Sequence, residues 1–166
     1  MLGVMQSLMS GGREMTDTMT EQYWSRFADT HDGNMEYVVG KPLLDQITQK
    51  LNDLPELGDV VELGCGTGYF TKAIGDKSQS IMATDLSDSL LEAARRRLGD
   101  CPKVTIQKEN CMATSFPAEA FDCVFMANLI HLASIMEDAG FGIRTSNVIG
   151  DKTKALYLIG RKDTTA

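Results

Sequence analysis

The chain has 166 residues, 43% of them hydrophobic, and a formal net charge of −7. That length suits one domain around a single core. The acidic balance argues against a broad phosphate-binding face, so neither nucleic acid nor an anionic membrane surface is an expected partner. The four cysteines, Cys65, Cys101, Cys111 and Cys123, form no CxxC pair, and His31 and His131 lie far apart in the chain. No metal site is expected from such spacing, and reduced cysteines point to a cytoplasmic protein.

In chain order, residues 1–18 are rich in Met, Ser and Gly, lack the pattern of a signal peptide and read as a disordered extension. Tyr23, Trp24, Phe27 and Ala28 recur at helical spacing, predicting an amphipathic helix over 20–31. Leu43, Leu44, Ile47 and Leu51 predict a second over 41–53, with Pro42 suited to its first turn and Pro55 and Gly58 beyond its end. Val60 to Leu63 is a short apolar run ending in glycines, the pattern of a buried parallel strand. A helix over 70–76, a strand over 80–84 closed by Asp85, and a helix over 87–98 capped by Ser87 and stopped by Gly99 follow. Arg95, Arg96 and Arg97 at the end of that helix read as a solvated face complementing its dipole. Strands are then predicted at 104–106 and 121–127, a helix at 130–139, and a hairpin from 143–149 and 155–160. Strand–helix alternation ending in a hairpin implies an α/β domain, Rossmann-like, with a mostly parallel sheet and helices on both faces.

The chemistry concentrates in Glu62-Leu63-Gly64-Cys65-Gly66-Thr67-Gly68, between a strand and a helix. Glycines there let the backbone turn tightly and a ligand lie against it. A dinucleotide fingerprint would place its last glycine at position 69, which is Tyr69. The acid before the loop, Glu62, suits a ligand whose near end is cationic rather than a pyrophosphate.

This run resembles motif I of the class I S-adenosylmethionine-dependent methyltransferases, and the likeness extends from about Tyr23 to Lys162. It implies S-adenosylmethionine as cofactor, a small-molecule acceptor, and one methyltransferase-like domain over residues 19–162. Carried over position by position, it implies cofactor contacts from Glu62, Gly64, Cys65, Gly66 and Gly68. Asp85 would bind the ribose hydroxyls with two charge-assisted hydrogen bonds, and Leu86 would lie against the adenine. Glu109-Asn110-Cys111 stands where the family usually has Gly-Asp-Ala, so Asn110 would meet the adenine amino group without a charge. Ala127 opens the loop whose carbonyls approach the methionine end, and His131 is the candidate base. Tyr23, Trp24 and Tyr37 read as lid packing, Cys65 as a packed thiol, and Lys41 either as a contact of the cofactor carboxylate or as a solvated lysine.

The likeness fails in one place. Leu129-Ile130-His131 runs directly into Leu132 to Phe141, a stretch that resembles the helix normally placed after a fifth strand. The fifth strand is therefore missing from the expected sheet. Either the hairpin closes directly on the fourth strand, or an exposed sheet edge recruits a second copy. Three functions follow in order: an active small-molecule methyltransferase, a cofactor-binding variant without turnover, and a nucleotide-binding oxidoreductase.

Overall fold

A computed structural model describes residues 17–26, 28–117, 120–127, 142–149 and 155–161; for residues 34, 35, 38 and 39 and the last two segments it gives the backbone alone. The expected extension up to residue 16, the expected helix over 130–139 and His131 lie outside the described residues.

The elements are α1 (Asp17–Ser25), α2 (His31–Val39), α3 (Lys41–Asn52), β1 (Asp59–Leu63), α4 (Thr71–Gly75), β2 (Ser80–Asp85), α5 (Asp88–Leu98), β3 (Val104–Lys108), β4 (Cys123–Ala127), β5 (Gly142–Ile149) and β6 (Ala155–Arg161). They form a six-stranded sheet in the order β3-β2-β1-β4-β6-β5. The first four strands are mutually parallel, with α4 and α5 as the crossovers from β1 to β2 and from β2 to β3. β6 runs antiparallel to β4, with Val124 opposite Gly160 and Met126 opposite Leu158. β5 pairs antiparallel with β6, with an irregularity between Ile143 and Thr145.

The hairpin thus closes directly on β4, and the edge that could have recruited a second copy is occupied. Among the described residues, the strands at the two ends of the sheet are β3 and β5.

Register sorts the core. Ile81 and Cys123 flank Val60 from β2 and β4 on either side of β1, and Ala83 and Phe125 flank Glu62 in the next such row. These side chains share one face, because alternate strand residues point the same way. That face carries α3 through Leu43, Leu44, Ile47 and Leu51, and α4 through Ala73 and Ile74, all buried. Leu91 of α5 packs on Ala83 and Cys65, with Val104 and Ile106 beside them. The alternating residues Val61, Leu63, Val124 and Met126 are buried as well, so both faces of the central strands are covered. This is why those strands read as continuous apolar runs.

The N-terminal region departs from expectation. In place of one helix over 20–31, α1 starts at Asp17, inside the expected extension, and ends at Ser25; a turn then leads into α2. α2 was not expected, since its sequence HDGNMEYVV contains Gly33, Asn34 and two valines. Tertiary bonds hold α1 in place. Lys108 Nζ donates to Glu21 at 2.7 Å, Asn110 Nδ2 to Asp17 at 2.9 Å, and the Ser25 and Ser87 hydroxyls lie 2.9 Å apart. Tyr37, expected to pack in a lid, is 90% exposed.

Ser87 is the N-cap of α5 and accepts the Leu90 amide at 3.3 Å while touching Ser25. Ser87→Ala should lower stability by about 1 kcal/mol, visible as an earlier urea midpoint with unchanged slope.

Candidate functional site

The loop leaving β1 sits where the strand order reverses, between β1 and β4, the position at which open α/β sheets hold ligands. Gly64, Gly66 and Gly68 all have positive φ, at 69°, 56° and 76°. Gly68 is required for a second reason: a Cβ there would stand 3.0 Å from Leu98 Cδ1 and 3.4 Å from Ala94 Cβ. The loop therefore lies directly on the last turns of α5.

Beneath the loop are two acids. Glu62 is 2% exposed and accepts from Thr71 Oγ1 at 2.7 Å. Burial raises its carboxyl from 4.5 to about 7, with the Thr71 hydrogen bond opposing and Asp85 adding to the rise. Asp85, at the end of β2, accepts the Gly66 amide on Oδ2 at 3.0 Å and the Ser87 amide on Oδ1 at 2.9 Å. Burial raises the Asp85 carboxyl above its ordinary value against the lowering effect of these bonds. Each carboxylate oxygen keeps acceptor capacity for a ligand hydroxyl.

The loop amides bear on the ligand class. Cys65 N–H donates to Thr84 O at 2.8 Å, Gly66 N–H to Asp85, and Gly68 N–H to Cys65 O at 2.9 Å. A pyrophosphate cradle needs such amides pointing outward. Here three are consumed internally and two acids lie below, an environment suited to a ligand with cationic and hydroxyl groups and no phosphate.

At the end of β3, Asn110 Oδ1 accepts the Met112 amide at 2.9 Å while its Nδ2 reaches Asp17. Glu109 accepts from the Ser115 amide at 2.8 Å and hydroxyl at 2.9 Å, fixing the loop from 109 to 115. Cys111 is half-buried near Asp85, and burial raises its thiol. Cys65 is 6% exposed, packed by Ala83 and Leu91, and burial likewise pushes its thiol up. Leu86 follows Asp85 and is half-buried, as is Ala127 at the end of β4. Lys41 points to Asp45 at 3.1 Å on an exposed helix face.

Arg97 corrects the reading of the basic triplet as a purely solvated face. Its Nη1 donates to Thr67 O at 3.2 Å and Thr67 Oγ1 at 3.0 Å, and its Nη2 pairs with Asp32. Thr67 Oγ1 also donates to Asp32, and the guanidinium lies 5.6 Å from the centre of the Tyr69 ring. Burial works against Asp32, but Arg97 and Thr67 hold its carboxyl below the ordinary value. Asp32, Thr67 and Arg97 come from distant parts of the chain, and no local pattern in the sequence signals their meeting. His31, next to Asp32, was another residue not assigned to the site, and its ring lies against Gly66.

Residues 60–141 match the methyltransferase domain family. An uncharacterized methyltransferase of Schizosaccharomyces pombe is 30% identical over 113 residues, covering 68% of this chain and 41% of that protein. A malonyl-[acyl-carrier protein] O-methyltransferase of Legionella pneumophila is 31% identical over 116 residues, covering 67% and 39%. The chain thus spans about two fifths of the length of these curated relatives. Among solved structures, the N-methyltransferase NodS of Bradyrhizobium japonicum, in complex with S-adenosyl-L-homocysteine, superposes with a TM-score of 0.65 at 12% identity, covering 86% of this chain and 98% of that one. The [4+2]-cyclase SpnF superposes with a TM-score of 0.63 at 12% identity, covering 89% and 97%. Both show a shared fold.

Glu62 gives the site a measurable pH signature. Its folded-state value of about 7 lies above the ordinary 4.5, so between them the folded protein keeps a proton that the unfolded chain releases. Its contribution is fully present below about 4.5 and lost as pH rises to about 7, amounting to no more than about 3 kcal/mol. Glu62→Gln should therefore gain stability relative to the parent between about pH 4.5 and pH 7.5, read from urea unfolding at both values.

Proposed function

Since the chain carries a class I S-adenosylmethionine-dependent methyltransferase domain, we propose that the loop from Gly64 to Gly68 binds S-adenosylmethionine and that the protein transfers its methyl group to a small-molecule acceptor. One observation carries the cofactor reading above the others. Asp85 presents a half-buried carboxylate at the switch point, bonded to Gly66 and Ser87, beside a loop three of whose amides are consumed internally. That arrangement favours a nucleoside without phosphates over a nicotinamide dinucleotide.

In this reading Asp85 takes the two ribose hydroxyls. Leu86 and Cys111 line the adenine, and the Asn110 Oδ1 accepts from the adenine amino group beside the Met112 amide it already holds. Glu62, buried and bonded to Thr71, is a carboxyl that the cationic end would draw into its ionised form. Ala127 ends the strand from which the methionine end is approached.

When bound, the cofactor supplies a methyl group on a positively charged sulfur, already activated for displacement. The protein's share is then alignment of acceptor and methyl, and no side chain need become covalently modified. His131 is the proposed base where the acceptor must lose a proton.

The second reading is cofactor binding without turnover. Direct pairing of β6 with β4 favours it, because among the described residues no strand lies between them.

Titration calorimetry with S-adenosylhomocysteine tests the cofactor site. Asp85→Ala should weaken binding about a hundredfold or more, and unchanged affinity would remove the ribose assignment. Methyl-labelled cofactor incubated with metabolite extracts separates the two readings. Label appearing in a small acceptor, and lost in His131→Ala, supports the enzyme; binding without any label supports the second reading.

A further inference from the structure

Resting on the cofactor reading above, we infer that His31 is a binding residue for the amino-acid arm of the cofactor, delivered to the glycine loop by α2 to donate a hydrogen bond to the arm's carboxylate. Three observations meet at this side chain. The imidazole edge faces the middle of the loop: Cε1, Nε2 and Nδ1 lie 3.0, 3.2 and 3.7 Å from the point where a Cβ on Gly66 would stand. The Nδ1 atom is buried and has no hydrogen-bond partner; its nearest carboxylate oxygen, on Asp32, is 3.6 Å away, charge proximity rather than a bond. A buried polar atom left unpaired is costly, and such atoms in folded proteins call for a reason.

The third observation is the placement of neighbouring charges. S-adenosylmethionine carries its ammonium and carboxylate together at one end. Glu62 and Asp85 lie under the loop and suit the cationic and hydroxyl groups, which leaves the carboxylate in need of a donor. Arg97, the guanidinium bonded to the loop, is already spent on Thr67 and Asp32, and Lys41 is directed to Asp45. His31 keeps donor capacity and faces Gly66. It is also near enough to Asp85 to lower that carboxyl's affinity for protons.

Asp32 has the complementary task of a positioning residue. It bonds Thr67 and pairs with Arg97, pinning the first turn of α2 to the loop and to α5. The imidazole next to it is thereby held over Gly66 with its side chain only 23% exposed.

The experiment compares two ligands that differ in the arm alone: S-adenosylhomocysteine, and 5′-methylthioadenosine, which has a methyl group in its place. Affinities are measured by calorimetry on the full chain and on His31→Ala, His31→Gln and Asp32→Asn, with thermal melting as the folding control. His31→Ala should weaken S-adenosylhomocysteine about ten- to hundredfold and leave 5′-methylthioadenosine unchanged. His31→Gln, which keeps a donor, should recover part of the loss, and Asp32→Asn should give a smaller loss confined to the same ligand. Equal loss for both ligands, or no loss for either, overturns the inference while the cofactor site stands. If the parent protein binds neither ligand, the cofactor reading falls and the inference with it.

Discussion

The carboxylate of Asp85 is the constraint on which the site depends. It accepts two backbone amides from different elements, Gly66 of the loop after β1 and Ser87 at the start of α5. A half-buried acid is best satisfied by such partners, and satisfying it fixes three things together: the end of β2, the path of the loop and the first turn of α5. The loop can then lie against α5 only because Gly68 has no side chain to meet Leu98 and Ala94. Glu62 is stabilised in a parallel way by Thr71, the first residue of α4. Each of the two helices flanking the loop is thus tied at its beginning to an acid on a neighbouring strand.

The same loop organises the N-terminal helices. α1 rests on the ends of β3 and α5 through Glu21, Asp17 and Ser25, reaching Lys108, Asn110 and Ser87. α2 rests on the loop through His31 and Asp32. The two have separate anchors, which explains why the chain breaks between them although no proline separates Ser25 from His31. Exposed ion pairs such as Lys108 with Asp88 add little individually. The half-buried cluster of Asp32, Thr67 and Arg97, in which one hydroxyl both donates and accepts, is more constraining.

Much of this was legible in the sequence because it is local. The apolar run of β1, the cap at Ser87, the stop at Gly99 and the face of Leu43, Leu44, Ile47 and Leu51 are written in consecutive residues. Glu62, the glycines and Asp85 were found from their spacing and from their likeness to a known motif. The antiparallel pairing of the last two strands was legible as well. What escaped was long-range. Arg97 meets Asp32 across 65 positions, and neither looks unusual among its neighbours. α2 escaped because its own sequence is a poor helix former, and its tie to the loop comes from tertiary bonds that helical propensity does not encode.

The direct pairing of β6 with β4 bears on how the chain reaches this state. β5 and β6 are close in sequence and antiparallel, so their loop closes at small entropic cost. β1 and β4 pair across more than sixty positions, Val60 with Cys123 and Leu63 with Met126, and parallel strands so far apart come together slowly. β4 is therefore a seam between two bodies of unequal kinetics: a C-terminal ribbon that forms from nearby residues, and an N-terminal layer that must assemble three crossovers first. On a ribosome the strand would emerge after that layer and before its antiparallel partner. In that interval its buried residues, Phe125 and Met126 among them, would be exposed along one open edge, making this the point in synthesis where the nascent chain most needs protection from aggregation.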